Sequence, residues 1–175
     1  MKLSTLALAA SLIPLFSASV LADEPSKAEV ERYLNQISES HSALYEAGER
    51  FGKSIGPLLN GREPDSREVH RAFRDVAQTL GRVRRDVKTW DVPDHPTARK
   101  LAVANDDFME YQVTATLEWL PALLDIMEDD SKTLKQRGDD ILKELEIGGA
   151  KEGEIGAKVR EAYTRLANQF DIEAE

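Results

Sequence analysis

Three histidines are the side chains of this sequence best suited to hold a metal ion or a haem: His41, His70 and His95. Di-iron sites in helical bundles use a Glu-x-x-His pattern on two helices. Here the residues three positions before His41 and His70 are a serine and an arginine. His95 belongs to a distant connection between helices. The sequence therefore predicts no metal site and no cofactor.

Two acidic clusters, at residues 128–130 and 139–140, could in principle bind calcium. Neither has the alternating spacing and central glycine of an EF-hand loop, so we interpret them as solvated helix faces and a helix cap. Nucleophile, phosphate-binding and dinucleotide-binding motifs are also absent from the sequence. We expect a non-enzymatic protein, and an enzyme that uses buried carboxylates stays open as a third alternative.

Gly48, Gly52 and Gly56 recur every four residues on one face of a predicted helix and are followed by Pro57. A glycine inside a helix costs up to about 1 kcal/mol relative to alanine, so three together need compensation. We predict close packing of a neighbouring helix against this face. A hinge or a groove for a partner is the alternative.

A strip of arginines follows the apolar face of the second predicted helix and gives this segment a local positive charge. We predict that these side chains pair with acidic neighbours. The alternative is a docking strip for an anionic partner such as a polysaccharide, a phospholipid surface or an acidic protein. The strip consists of Arg67, Arg71, Arg74, Arg82 and Arg85.

His41 stands at a position in the apolar seam of the first helix that ordinary patterning would fill with leucine. A polar group there needs a partner. Antiparallel pairing of the first and fourth helices sets His41 near Gly148-Gly149 and within a turn of Glu152. We predict a buried polar layer that comprises His41, Arg84, Tyr111 and Glu152. Its role would be to set the helix register or, alternatively, to act as a pH-sensitive latch.

Apolar periodicity predicts the helices that position these residues. The first covers residues 26–60 and begins with a capping box at Ser26 and Glu29, and the second begins near Asp65. The third starts at Pro96, runs to about residue 129 and should be kinked by Pro121. Asp130 or Ser131 is expected to cap a fourth helix. The second helix has the most regular seam, formed by Val69, Phe73, Val76, Leu80, Val83, Val87 and Trp90.

These elements predict an all-α fold, an up-down-up-down antiparallel four-helix bundle with long helices. The fourth helix is expected to be kinked or broken near Gly148-Gly149. A three-stranded coiled coil with a detached tail is the alternative.

The first 22 residues have the pattern of a cleaved signal peptide: Lys2, an apolar stretch over 6–16 and small residues before Asp23. A membrane anchor is the rival, but the apolar stretch is too short to span a bilayer. Residues 23–175 then form a single helical-bundle domain without any cysteine. Loss of Lys2 takes the net charge from −9 to −10, which disfavours nucleic acid as a partner.

We therefore expect an exported, periplasmic or secreted protein that binds or chaperones a protein partner in the bacterial envelope. The mature form would have no transmembrane anchor and could form a homodimer. The alternative is a ligand-binding or sensory bundle. Its small-molecule pocket would lie between helices, where Gly48, Gly52, Gly56 and Pro121 open the packing.

Overall fold

The computed structural model describes residues 24–173, and the predicted signal peptide lies outside them. Every regular element in this range is helical. The helices are α1 (Lys27–Leu59), α2 (Ser66–Val87), α3 (Pro96–Thr114), α4 (Leu120–Met127) and α5 (Leu134–Gln169), and a π-helical turn, Ala115–Trp119, joins α3 to α4.

The predicted all-α four-helix bundle is confirmed, with α3, the π turn and α4 together forming its third helix. α1 packs along α2 and α5, and α3 packs along α5. The two longest helices are antiparallel. Lys27 Nζ at the start of α1 donates to the carbonyl of Asp171 beyond the end of α5, over 2.6 Å. No helix within residues 24–173 combines the length and the apolar character that crossing a bilayer requires.

Side-chain caps fix where the helices begin. Ser26 and Glu29 form the predicted capping box of α1, and the Asp65 carboxylate accepts from two backbone N–H groups at the start of α2. The cap of α5 is Thr133, in a capping box with Gln136, rather than Asp130 or Ser131. The Thr133 hydroxyl accepts from the Gln136 N–H, and the Gln136 side chain accepts from the Thr133 N–H, so two backbone donors at this helix end are satisfied.

Two predicted irregularities have different outcomes. α5 runs unbroken through Gly148-Gly149, so of the two predicted alternatives, a kink or a break, the break does not occur, because tertiary contacts hold the helix despite the poor propensity of glycine. The predicted disturbance of the third helix by Pro121 is located in the π turn, Ala115–Trp119, just before the proline. In that turn the Leu120 N–H donates to the Ala115 carbonyl, five residues back. Proline cannot donate to the carbonyl four residues before it, and an extra residue in the turn accommodates the loss.

The apolar core consists of two clusters, one toward each end of the bundle. The first is centred on Leu34, Ile37, Leu101 and Leu166. The second is centred on Ile55, Leu58, Leu123 and Ile141. Between them lies the middle of the bundle, where His41 and the glycines of α1 are found.

The glycines of α1 do not serve close helix packing. An added Cβ at Gly48, Gly52 or Gly56 would meet nothing within 4 Å, so the predicted close packing against this face is wrong. Close approaches occur on α5 instead. A Cβ at Gly138 would lie 2.9 Å from the Leu58 carbonyl oxygen. A Cβ at Gly148 would collide with the Trp119 ring.

The seam of α2 supplies a test of the register. Leu80 is 5% exposed, whereas Arg84, one turn later, is exposed. We expect Leu80→Ala to lower the free energy of unfolding by about 2 to 5 kcal/mol, and Arg84→Ala to change it by less than about 0.5 kcal/mol. Urea denaturation followed by circular dichroism measures both, and equal effects would contradict the register.

Candidate ligand-binding cleft

A cleft of about 610 Å³ lies in the middle of the bundle, between the two core clusters. Its lining comes from all the long helices, chiefly from α1, α5 and the region where α3 joins the π turn. It is partly open to solvent. Its volume falls within the range of small-molecule sites in proteins, about 300 to 1,000 Å³.

Glycines on two facing helices create the open space. Gly48 and Gly52 line the cleft from α1, and Gly149, Gly153 and Gly156 line it from α5. Added Cβ atoms at the first four of these would meet nothing within 4 Å. Missing side chains at mid-bundle thus leave room that leucines would otherwise fill. The glycines of α5 were missed as cleft residues at the level of sequence, although their spacing along one helix face is visible there.

The floor of the cleft is apolar and partly aromatic, which suits an apolar ligand surface. It includes residues from both core clusters. The main contributors are Leu44, Phe51, Ile55, Val76, Leu80, Phe108, Ala115, Leu120, Leu145 and Val159.

The π turn places Thr116 and Trp119 in the cleft wall. Such turns often mark functional sites, because the extra residue redirects the side chains around it. Thr116 is only 5% exposed, and its hydroxyl makes no hydrogen bond within the described part of the chain. The Trp119 ring packs against α5, where a Cβ at Gly148 would lie 2.5 Å from an indole carbon. Its Nε1 is buried and also lacks a partner among residues 24–173.

His41 lines the cleft but has a different partner from the predicted one. Its Nε2 lies 2.9 Å from Asn105 Oδ1, an atom that can only accept, so Nε2 donates. The imidazole stacks on Phe108 with ring centroids 4.4 Å apart. Burial lowers the pKa of His41, although the Asn105 bond opposes this shift. The predicted bond to Glu152 is therefore replaced by one to a neutral amide of α3.

Two other residues of the predicted layer line the same cleft. Tyr111 donates to the Gly148 carbonyl over 2.9 Å, and Glu152 accepts from Gln112 over 2.8 Å. Burial and the charge of Glu152 raise the pKa of Tyr111. Arg84 is exposed and is not in the cleft lining. The structure thus brings together His41, Tyr111 and Glu152 around the cleft and leaves Arg84 out.

The five arginines of the strip, Arg67, Arg71, Arg74, Arg82 and Arg85, are all exposed on α2. None of them forms an ion pair within 4.0 Å with any residue in the range 24–173. Asp75, which follows Arg74 in the sequence, instead accepts from Arg50 of α1 over 2.7 Å. The predicted pairing with acidic neighbours is therefore not seen, and the strip keeps its positive charge.

Possible metal ligands are scattered in the described part of the chain, where no group of three or more such side chains could hold an ion. His70 Nε2 instead lies 2.7 Å from Glu128 Oε1. In the same acidic cluster, hydrogen bonds from Ser131 lower the pKa of Asp129. These contacts tie the start of α2 and the α4–α5 connection to local partners.

Comparisons with known proteins give no relative from which a function could be transferred. No protein-family model matches the chain, and neither the curated proteins nor the solved structures contain a match. The geometry of the cleft is thus the main evidence on function.

The adjacent glycines Gly148 and Gly149 allow a test of the cleft wall. Gly149→Ala should raise the free energy of unfolding by up to about 1 kcal/mol, because the new methyl group points into open space and improves helix propensity. Gly148→Ala should lower it by about 1 to 3 kcal/mol, because the methyl group displaces the Trp119 ring. Thermal and urea denaturation give both values, and tryptophan emission should shift in the second variant alone. Effects of the same sign in both variants would contradict this geometry.

Proposed function

We propose that this protein binds a small, largely apolar molecule in the cleft between α1, α3 and α5. The observation that carries the proposal is the 610 Å³ cleft that divides the core at mid-bundle. A bundle selected only for stability would fill this space, since burial of apolar side chains is the main stabilising contribution to folding.

The composition of the lining supports the same proposal. Ligand sites combine an apolar surface with a few polar groups that orient the ligand. Here the polar groups that line the cleft include His41, Tyr111, Gln112 and Thr116. The glycines support it as well. Each costs about 1 kcal/mol of helix stability relative to alanine. The absence of their side chains leaves the cleft open.

A dye-binding experiment tests the cleft. N-phenyl-1-naphthylamine is neutral and apolar, and it fluoresces strongly in apolar surroundings. We expect saturable binding to the folded protein and a loss of affinity of about tenfold or more in Gly52→Leu, where the new side chain enters the cleft.

The matched control is Gly56→Leu, one turn further along α1. An added Cβ at Gly56 also meets nothing within 4 Å, but this residue does not line the cleft. Its affinity for the dye should stay within about twofold of the wild type. Equal losses in the two variants, or no saturable binding by the wild type, would contradict the proposed function.

Binding to a partner in the cell envelope is the second candidate function. The specific observation in its favour is the strip of five exposed arginines without ion pairs, which suits an anionic partner surface. A homodimer remains compatible with either function. We also propose that the protein is exported, so that N-terminal sequencing of the mature form gives Asp23 as the first residue.

The arginine strip has its own test. Changing Arg71, Arg74 and Arg82 together to alanine should reduce capture of envelope partners by the mature protein, most strongly at low salt, because screening weakens exposed charges. The control changes Lys143, Lys151 and Lys158 on α5, all exposed, and lowers the net charge equally. If both triple variants capture the same material as the wild type, the strip is no docking surface.

A further inference from the structure

We propose that the ligand of the cleft is an amphiphilic carboxylate, with its anionic headgroup bound by Arg160 and its apolar body on the floor of the cleft. This inference rests on the proposed ligand-binding function and adds the chemical class of the ligand. Three features carry it: the position of Arg160, the state of the other charged groups in the lining, and the unpartnered hydroxyl of Thr116.

Arg160 lies on α5 at the edge of the cleft and belongs to its lining. Its side chain follows the helix toward the glycine series, since Nη1 would lie 3.5 Å from a Cβ at Gly156. The missing side chain at Gly156 thus gives the guanidinium room beside the open space. Arg160 makes no hydrogen bond or ion pair with any residue in the range 24–173.

The acidic residues closest to Arg160 along α5 are already paired with other cations. Glu161 lies 3.7 Å from Arg165. Glu154 lies 3.4 Å from Lys151 and 3.7 Å from Lys158. The guanidinium is therefore left to interact with solvent or with a ligand.

The two carboxylates in the cleft lining also have partners. Glu49 Oε1 lies 2.7 Å from Lys53 Nζ, whereas Glu152 accepts from the neutral amide of Gln112, which does not neutralise its charge. Glu152 precedes Arg160 by eight residues, which places it about 12 Å away along the helix axis. At the Arg160 end of the cleft the unpaired charge is therefore positive.

A carboxylate fits this environment better than a neutral or cationic headgroup. Guanidinium and carboxylate form two parallel charge-assisted hydrogen bonds, which are stronger than neutral ones. His41 and Tyr111 are both uncharged near pH 7, because burial lowers the pKa of His41, and burial together with the Glu152 charge raises the pKa of Tyr111. The Thr116 hydroxyl, deep in the wall, is free to bond a polar atom of the ligand.

Three probes with the same alkyl chain and different headgroups test the inference: dodecanoate, dodecanol and dodecyltrimethylammonium. The two ionic probes are titrated below their micelle concentrations, and dodecanol below its solubility limit, against the dye-loaded full mature chain. Displacement of the dye gives the affinity of each probe. We expect dodecanoate to bind about threefold to fivefold more tightly than dodecanol, because Arg160 is exposed and solvent weakens such an ion pair, and we expect the ammonium probe to bind most weakly.

Arg160→Gln should remove the preference for dodecanoate and leave the affinity for dodecanol within about twofold. The matched control is Arg84→Gln, which removes the same charge at an exposed arginine of α2 that has no ion pair within residues 24–173 and lies outside the cleft lining. It should keep the preference. High salt should reduce the preference in the wild type and have no such effect in Arg160→Gln.

The possible failures are distinguishable. If the wild type binds the dye and dodecanol, but dodecanoate no better, the ligand is not a carboxylate and the cleft function stands. The same conclusion follows if the preference survives in Arg160→Gln, or if the ammonium probe binds most tightly. If neither the dye nor any probe binds, the proposed function and this inference both fail.

Discussion

The absence of side chains where α1 and α5 face each other is the constraint on which the rest of the structure depends. Helices pack by filling the space between their axes with side chains. Gly48 and Gly52 on one helix and Gly149 and Gly153 on the other contribute none. Apolar packing is therefore continuous at both ends of the bundle and interrupted at its middle.

Such a gap persists only if other contacts hold the helices apart and in place. Near one end, a Cβ at Gly138 would lie 2.9 Å from the Leu58 carbonyl oxygen, so α5 is close to the end of α1. The Arg137 side chain, 7% exposed, lies 2.8 Å from Glu63 and also donates to the Met127 carbonyl. At mid-bundle, the Trp119 ring packs on Gly148. A rigid frame around an open middle is what a preformed ligand site requires.

The sequence predicts the fold well and the site only in part. The regular seam of α2, the capping box at Ser26 and the disturbance at Pro121 are local signals, and local physics decides their outcome. The partner of His41 depends instead on how α1 and α3 meet across the bundle. Pairing rules for helices adjacent in the bundle gave Glu152, whereas the structure gives Asn105. No local pattern carries that information.

The meaning of a helical glycine is the clearest case of this limit. Gly148 and Gly149 are neighbours with the same intrinsic helix propensity. The Trp119 ring occupies the space beside Gly148, whereas Gly149 faces open space. Their roles differ because successive helix residues point about 100° apart, so only one of them meets the π turn of the third helix. A glycine series thus indicates that side chains are missing along a helix face. Whether a neighbouring helix or a ligand fills the space is decided by the elements packed around it, here by a π turn upstream of Pro121 that moves Trp119 toward one glycine and leaves the next one free.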